Sequence, residues 1–129
     1  MGTTYLVDTN LCIYFLDGVL PIHSLTFMRT VLNEDNYSLS VITKIELLGW
    51  QFPDISKAEY STLFVNNSII VPLNNEVVEQ TIALRKSHKI KLPDAIIAAT
   101  AIVFDLTLIS RNDKDFKQIS SLKYINPFG

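Results

Sequence analysis

Apolar residues along this chain fall into two rhythms that alternate from end to end. Short, nearly continuous apolar runs occur at residues 4–8 (Thr-Tyr-Leu-Val-Asp), 37–42, 68–73, 106–109 and 123–125. Their length and their β-branched and aromatic content predict five strands buried on both faces. Between them lie segments with helical spacing: Leu11 to Leu16, broken at Asp17-Gly18; Pro21 to Asn33, turned by Glu34-Asp35-Asn36; and a helix carrying Glu46, capped by Thr43. A helix to about Val65 follows Pro53, with Asp54 or Ser56 as its cap; Asn74 or Asn75 caps another reaching about His88; a third runs from Asp94 to Phe104. Strands separated by helices predict an α/β fold with a parallel sheet covered on both sides, and ligands of such sheets collect at the carboxyl ends of the strands.

That rule brings four acids to one edge. Asp8 ends the first strand, Glu46 lies one turn into a helix that begins at the same edge, and Asp113 follows the fourth strand. Asp94 opens the helix that descends into the fourth strand, so it starts at that edge too; Pro93 sits where a missing N–H costs nothing. Each acid alone has an ordinary explanation: a strand-ending Asx turn for Asp8, a solvated helix face for Glu46, a helix cap for Asp94, a polar loop for Asp113 and Asp115. Taken together they repel, by roughly 3–4 kcal/mol for a pair ~4–5 Å apart at an effective dielectric near 20. A hard divalent cation such as Mg²⁺ or Mn²⁺ is the natural partner for such oxygen donors.

Composition narrows the classes. The chain of 129 residues, 48% hydrophobic and 19% charged, is sized for one globular domain, and its net charge of −2 does not advertise nucleic-acid binding. The single Cys12, among apolar neighbours, reads as a buried structural thiol and suits a reducing cytoplasm. The N-terminus lacks the pattern of a signal peptide, and the apolar run around Ala95 to Phe104 is too short to span a bilayer. The dense basic run Arg85, Lys86, Lys89 and Lys91 precedes Asp94, and Arg111 lies near Asp113. These five are candidates for binding the phosphates of a substrate, or in the case of the run for simply neutralising a helix C-terminus. His23 and His88 match no acid–base pair. Trp50-Gln51-Phe52, with Leu32, Leu47 and Leu48, reads as an interface patch.

The order of motifs resembles the PIN-domain endoribonucleases, in particular the VapC-type toxins of bacterial toxin–antitoxin modules. The matching segments are Leu6-Val7-Asp8-Thr9-Asn10, Ile42-Thr43-Lys44-Ile45-Glu46-Leu47, Leu92-Pro93-Asp94-Ala95-Ile96-Ile97-Ala98-Ala99-Thr100-Ala101 and Leu108-Ile109-Ser110-Arg111-Asn112-Asp113-Lys114-Asp115-Phe116. The resemblance covers essentially the whole chain. It implies one PIN-like domain over residues 1–129, a three-layer α/β/α fold with a five-stranded parallel sheet, and a Mg²⁺- or Mn²⁺-dependent ribonuclease. It further implies a homodimer and a cognate antitoxin protein. Asp8, Glu46 and Asp94 take the central acidic positions, and Asp113, Asp115 or both take the fourth. Thr9, Asn10 and Ser110 are candidates to orient those carboxylates. Two other classes compete: a PIN-like RNA- or protein-binding module without activity, and a Mg²⁺-binding receiver domain. The receiver wants adjacent acids after the first strand, where this chain has Thr9-Asn10. No glycine-rich phosphate loop supports nucleotide binding.

Overall fold

A computed structural model describes residues 5–33 and 37–128. The expected turn at Glu34-Asp35-Asn36 and the start of the first strand at Thr4 lie outside the described residues. Five strands, β1 (Tyr5–Val7), β2 (Tyr37–Ser40), β3 (Ile69–Val71), β4 (Thr107–Ile109) and β5 (Tyr124–Ile125), form one sheet in the order β3-β2-β1-β4-β5. Every neighbouring pair is parallel, with Leu6 opposite both Ser38 and Leu108. Seven helices are described: α1 (Thr9–Asp17), α2 (Ile22–Asn33), α3 (Val41–Gly49), α4 (Ile55–Asn66), α5 (Asn75–Ser87), α6 (Leu92–Val103) and α7 (Asp113–Phe116).

The two-residue period of the strands divides the core. Leu6 and Leu108 point to one face, where they meet Val77 and Leu84 of α5, Ala95, Ile97, Ala98 and Ala101 of α6, and Phe116 of α7. Val7, Leu39 and Ile109 point to the other, against Leu11 and Cys12 of α1, Met28 of α2, Leu47 of α3 and Phe64 of α4. The result is the expected three-layer α/β/α arrangement with a five-stranded parallel sheet. Cys12 is fully buried, and burial pushes its thiol pKa well up, as suits a packing residue.

Three boundaries differ from expectation in ways that matter. α1 begins at Thr9, two residues early, because Asp8 itself is the cap and accepts from the Thr9 N–H at 2.9 Å. It ends at Gly18, whose φ of 70° closes the helix in the left-handed conformation that glycine adopts without strain. α3 is capped by Ser40 rather than Thr43; the Ser40 hydroxyl accepts from the Thr43 N–H at 3.1 Å, which frees the buried Thr43 side chain for other bonds. α6 is capped by the backbone of Lys91, so Asp94 lies inside the first turn and has its carboxylate free of a capping role. Asp54 and Asn74 are the caps of α4 and α5, as their residue types predict.

Among the described residues no single helix is long and apolar enough to cross a membrane; α1 and α2 reach that length only together, across a 110° bend.

Candidate active site

The strand order places a topological switch at β1, which has β2 on one side and β4 on the other. Side chains leaving the carboxyl ends of β1 and β4 therefore face one crevice. Asp8 follows β1 and Ser110 follows β4, and the Ser110 hydroxyl donates to Asp8 Oδ2 at 2.7 Å across 102 residues of chain. The Asp8 N–H donates to the Ile109 carbonyl at 2.9 Å, locking the backbone as well. Asp8 is only 4% exposed. Burial raises its pKa above the usual 3.8; the Ser110 and Thr9 hydrogen bonds oppose that rise, and the charge of Glu46 adds to it.

Thr9 links α1 to α3. Its hydroxyl donates to Glu46 Oε1 at 2.7 Å and lies 2.8 Å from the Thr43 hydroxyl. A hydroxyl has one proton, so with that proton on Glu46 the Thr43 hydroxyl must donate to Thr9. Ser40 Oγ in turn donates to Thr43 Oγ1 at 3.2 Å. The relay Ser40–Thr43–Thr9–Glu46 thus runs in one direction and fixes Glu46 Oε1, while the Glu46 side chain stays exposed. Thr9 thus bonds two carboxylates, Glu46 through its hydroxyl and Asp8 through its backbone N–H.

Asp94 is carried by α6 into the same crevice. Its carboxyl pKa is lifted from 3.8 to about 6, by burial first, then by the charge of Asp8, then by a hydrogen bond and charge repulsion from Asp115; Lys91 partly offsets the rise. Two carboxyl groups hydrogen-bonded to each other share a proton or a cation. Asp115 is positioned by Asn112, whose side-chain amide donates to Asp115 Oδ2 at 2.9 Å.

Asp113 is turned elsewhere. Its Oδ1 accepts from Tyr124 Oη at 2.7 Å and from the Asn126 amide at 3.1 Å, and Lys117 lies 3.6 Å from Oδ2. These partners, Tyr124 first, hold its pKa below 3.8. Of the two acids the sequence left open, the geometry brings Asp115 to Asp94 and ties Asp113 to β5. Sequence reasoning gave Thr43 only a capping role and gave Asn112 and Tyr124 none. The Asn112-x-x-Asp115 spacing of a helix cap was the available signal for Asn112; Tyr124 had none.

The donor set suits a hard cation in chemistry more than in closure. Asp8, Asp94 and Asp115 offer oxygens whose mutual repulsion a divalent ion would relieve. Yet among the described residues no three acidic, histidine or cysteine side chains draw together into a ready coordination shell. All four central acids do not converge as the sequence suggested.

Cations rim the crevice. An open cavity of about 750 Å³ is lined by Asp94 and Asp115 together with Arg85, Lys89, Lys91 and Lys114, and by Asn10 and Asn112. Lys86 faces solvent outside it. A neighbouring cavity of about 220 Å³ is lined by Asp8, Asn10, Tyr14, Ser110, Arg111 and Asn112. On the far side of Asn10, a groove of about 310 Å³ is formed by Thr9, Ile13, Ile45, Glu46, Gly49 and Trp50. Ile45 and Trp50 are more than half exposed there, as is consistent with an interface, whereas Leu47 is 1% exposed and belongs to the core. His23 is exposed and His88 bonds only Ser87 at 2.9 Å, so neither reaches the crevice.

A doubly covered parallel sheet with acids gathered at its central switch point defines the class of this molecule. Residues 5–122 match the PIN domain model, and the chain belongs to the PIN domain family. It is similar to a solved toxin–antitoxin complex from Klebsiella pneumoniae (30% identity, TM-score 0.77), with 96% of this chain and 98% of that one aligned. It is also similar to VapBC2 from Rickettsia felis, solved with a promoter DNA fragment (25% identity, TM-score 0.79, 96% and 98% covered). DNA-bound VapBC from Salmonella typhimurium shares the fold at 21% identity and a TM-score of 0.80, over 97% of this chain and 98% of that one. No curated protein sequence matches the chain.

Proposed function

We propose that this protein is a metal-dependent endoribonuclease, the VapC-like toxin of a toxin–antitoxin pair, acting in the cytoplasm. The observation that carries this reading is Asp94, half-buried between Asp8 and Asp115 and lining a cavity with basic residues. Burial and the two neighbouring acids raise the Asp94 pKa, which destabilises an empty fold, and such surroundings suit a site for a cation and a polyanion. Mg²⁺ or Mn²⁺, when bound, supplies Lewis acidity and offsets charge on the phosphoryl group. Asp8, Asp94 and Asp115 would hold it. Ser110 keeps Asp8 Oδ2 turned into the crevice. Glu46, its Oε1 held by Thr9, has Oε2 free to take the proton of an attacking water. Lys89, Lys91 and Arg85 offset the repulsion between the acids and the RNA backbone.

The test is cleavage of a panel of cellular RNAs by the purified protein and its Asp8→Asn variant, with Mn²⁺, with Mg²⁺ and in EDTA. Cleavage that needs metal and vanishes in the variant supports the reading. Absence of cleavage of every RNA, with no change of melting temperature on Mn²⁺ titration, would sink it and favour a silent binding module.

Two assemblies belong to the same proposal. The groove of Ile13, Ile45 and Trp50 opens beside Glu46. It suits an antitoxin peptide whose apolar residues fill it while an arginine or lysine reaches the carboxylates. Co-expression with the product of an adjacent gene should give a complex without ribonuclease activity, and an active complex would exclude this mode. A second exposed apolar face, Val78 and Ile82 of α5, Leu92 of α6 and Leu73 just before α5, carries no charge and suits a two-fold contact with another copy. Light scattering at micromolar concentration should give twice 14.6 kDa; the monomer mass would rule the dimer out.

A further inference from the structure

Arg111 is held by rings rather than by acids. Its guanidinium carbon lies 4.3 Å from the centroid of Phe128 and 5.9 Å from that of Tyr14. The two rings meet edge to face at 6.1 Å and 76°. Phe128 is brought there by the segment after β5. The buried Ser24 hydroxyl donates to the Pro127 carbonyl at 2.9 Å, and the Phe128 N–H donates to Asn126 Oδ1 at 2.9 Å. Among the described residues the ion pairs are Lys57–Asp17, Lys117–Asp113 and Lys123–Asp105, and no carboxylate pairs with Arg111. Asp8, in the same cavity, takes its side-chain bonds from Ser110 and Thr9 instead.

A stacked guanidinium keeps its in-plane N–H donors free, and those donors match phosphate oxygens two at a time. The cavity of Arg111 and Asp8 and the cavity of Lys89, Lys91, Asp94 and Asp115 share Asn10 and Asn112 in their walls. The two therefore adjoin at Asn10 and Asn112, one holding Arg111 beside Asp8 and the other holding Lys89 and Lys91 beside Asp94 and Asp115. A single strand laid through both meets Arg111 in one and the lysines in the other.

We propose that Arg111 binds an RNA backbone phosphate adjacent to the one cut, and that Tyr14 and Phe128 are positioning residues that hold its guanidinium edge-on to the strand. This rests on the ribonuclease reading above. The planar cation fixes the strand's register over the acids, so its loss acts on substrate binding before it acts on chemistry.

The experiment compares the parent with Arg111→Met, Arg111→Lys and Phe128→Leu. Binding of a fluorescein-labelled single-stranded oligoribonucleotide is followed by anisotropy in EDTA across a range of NaCl, and kcat and KM are measured with Mn²⁺. Arg111→Met should reduce the log–log salt slope of binding by about 0.7, the share of one phosphate contact on a single strand, and raise KM with a smaller effect on kcat. Arg111→Lys should restore the slope without restoring kcat/KM, because an ammonium neither stacks nor binds two oxygens. Phe128→Leu should keep the slope and lower kcat/KM. If the parent binds and cleaves RNA while Arg111→Met keeps its slope and KM, the assignment of Arg111 is wrong and the ribonuclease reading stands. A fall in melting temperature with an unchanged slope would make Arg111 a packing residue and also overturn the proposal. A parent that neither binds nor cleaves RNA overturns both.

Discussion

Replacing Asp94 by asparagine should stabilise the metal-free protein near neutral pH while removing its proposed activity. In the unfolded chain Asp94 ionises near 3.8; in the fold, burial, Asp8 and Asp115 lift it to about 6. At 1.36 kcal/mol per pH unit, that rise corresponds to roughly 3 kcal/mol of destabilisation once the group is ionised. Asp94 is partly exposed, and solvent screening takes about half of that. A carboxylate in the first turn of α6 is favoured by the helix dipole by about 0.3–1 kcal/mol, which asparagine forgoes. The net gain for Asp94→Asn at pH 7 is then about 1 kcal/mol, or ~3–6 °C in Tm for a chain of this size. The sign depends on pH. A folded pKa above the unfolded one gives a contribution that is fully present below pH ~3.8 and is lost as pH rises through about 6. The variant's advantage should be absent near pH 4, grow between pH 4 and 7, and level off above. Melts in EDTA from pH 4 to 8 read this directly, and adding Mn²⁺ should raise the parent's Tm but not the variant's. A difference that stays constant with pH, or a variant less stable at pH 7, would refute the electrostatic account.

Thr9→Val keeps the shape but breaks the relay to Glu46, leaving the Thr43 proton without its acceptor; cleavage should fall by about 10–100-fold and Tm should drop. An unchanged rate would show that Glu46 needs no orienting. Asp115→Asn should abolish cleavage, whereas Asp113→Asn should retain most of it but lower Tm at neutral pH. Because partners hold the Asp113 pKa below 3.8, its stabilisation is present at neutral pH and lost as pH falls through the carboxylate range, so the Asp113→Asn deficit should close under acid. The reverse ranking in cleavage would make Asp113 the fourth acid. Neutralising Lys89 and Lys91 together should weaken RNA binding and lower its salt slope by about 1.4, with Lys86→Ala as a silent control; equal effects from all three would place the strand outside the cavity.

Alternation of strands with capped helices was legible in the residues, because the short apolar runs of β1, β2 and β4 read as doubly covered strands. The edge strands β3 and β5, expected buried too, are only partly covered, with Ile69 48% and Ile125 36% exposed. Leu6-Val7 and Leu108-Ile109 announce the pairs that feed both core faces. The placement of Asp8, Asp94 and Glu46 at the carboxyl edge of the sheet followed from the rule that ligands of parallel sheets collect there. The choice between Asp113 and Asp115 did not, because it depends on Tyr124 of β5 and Asn126 just beyond it, contacts with no local pattern. Thr43 was read as a cap because residue type alone ranks it so; only the fold shows Ser40 filling that role. The basic run was visible, but that Lys89 and Lys91 line the cavity while Lys86 does not was not separable by spacing, because α5 ends at Ser87 between them.

Asp8 is aimed by Ser110, and their two strands lie side by side at the centre of the sheet although the chain between them makes most of the domain. Contacts of such sequence separation form late, since the loop must close before they reward it. During synthesis, a nascent chain that has released β1, β2 and β3 from the ribosome holds Asp8 and Glu46 but has no strand to orient the first of them. On the ribonuclease reading, a fragment ending before Ser110 should therefore be catalytically inert whatever it has folded, and the capacity to cut RNA should arise only once β4 and β5 dock. On that reading the fold itself delays any hazard to the cell's own RNA until β4 has joined the sheet.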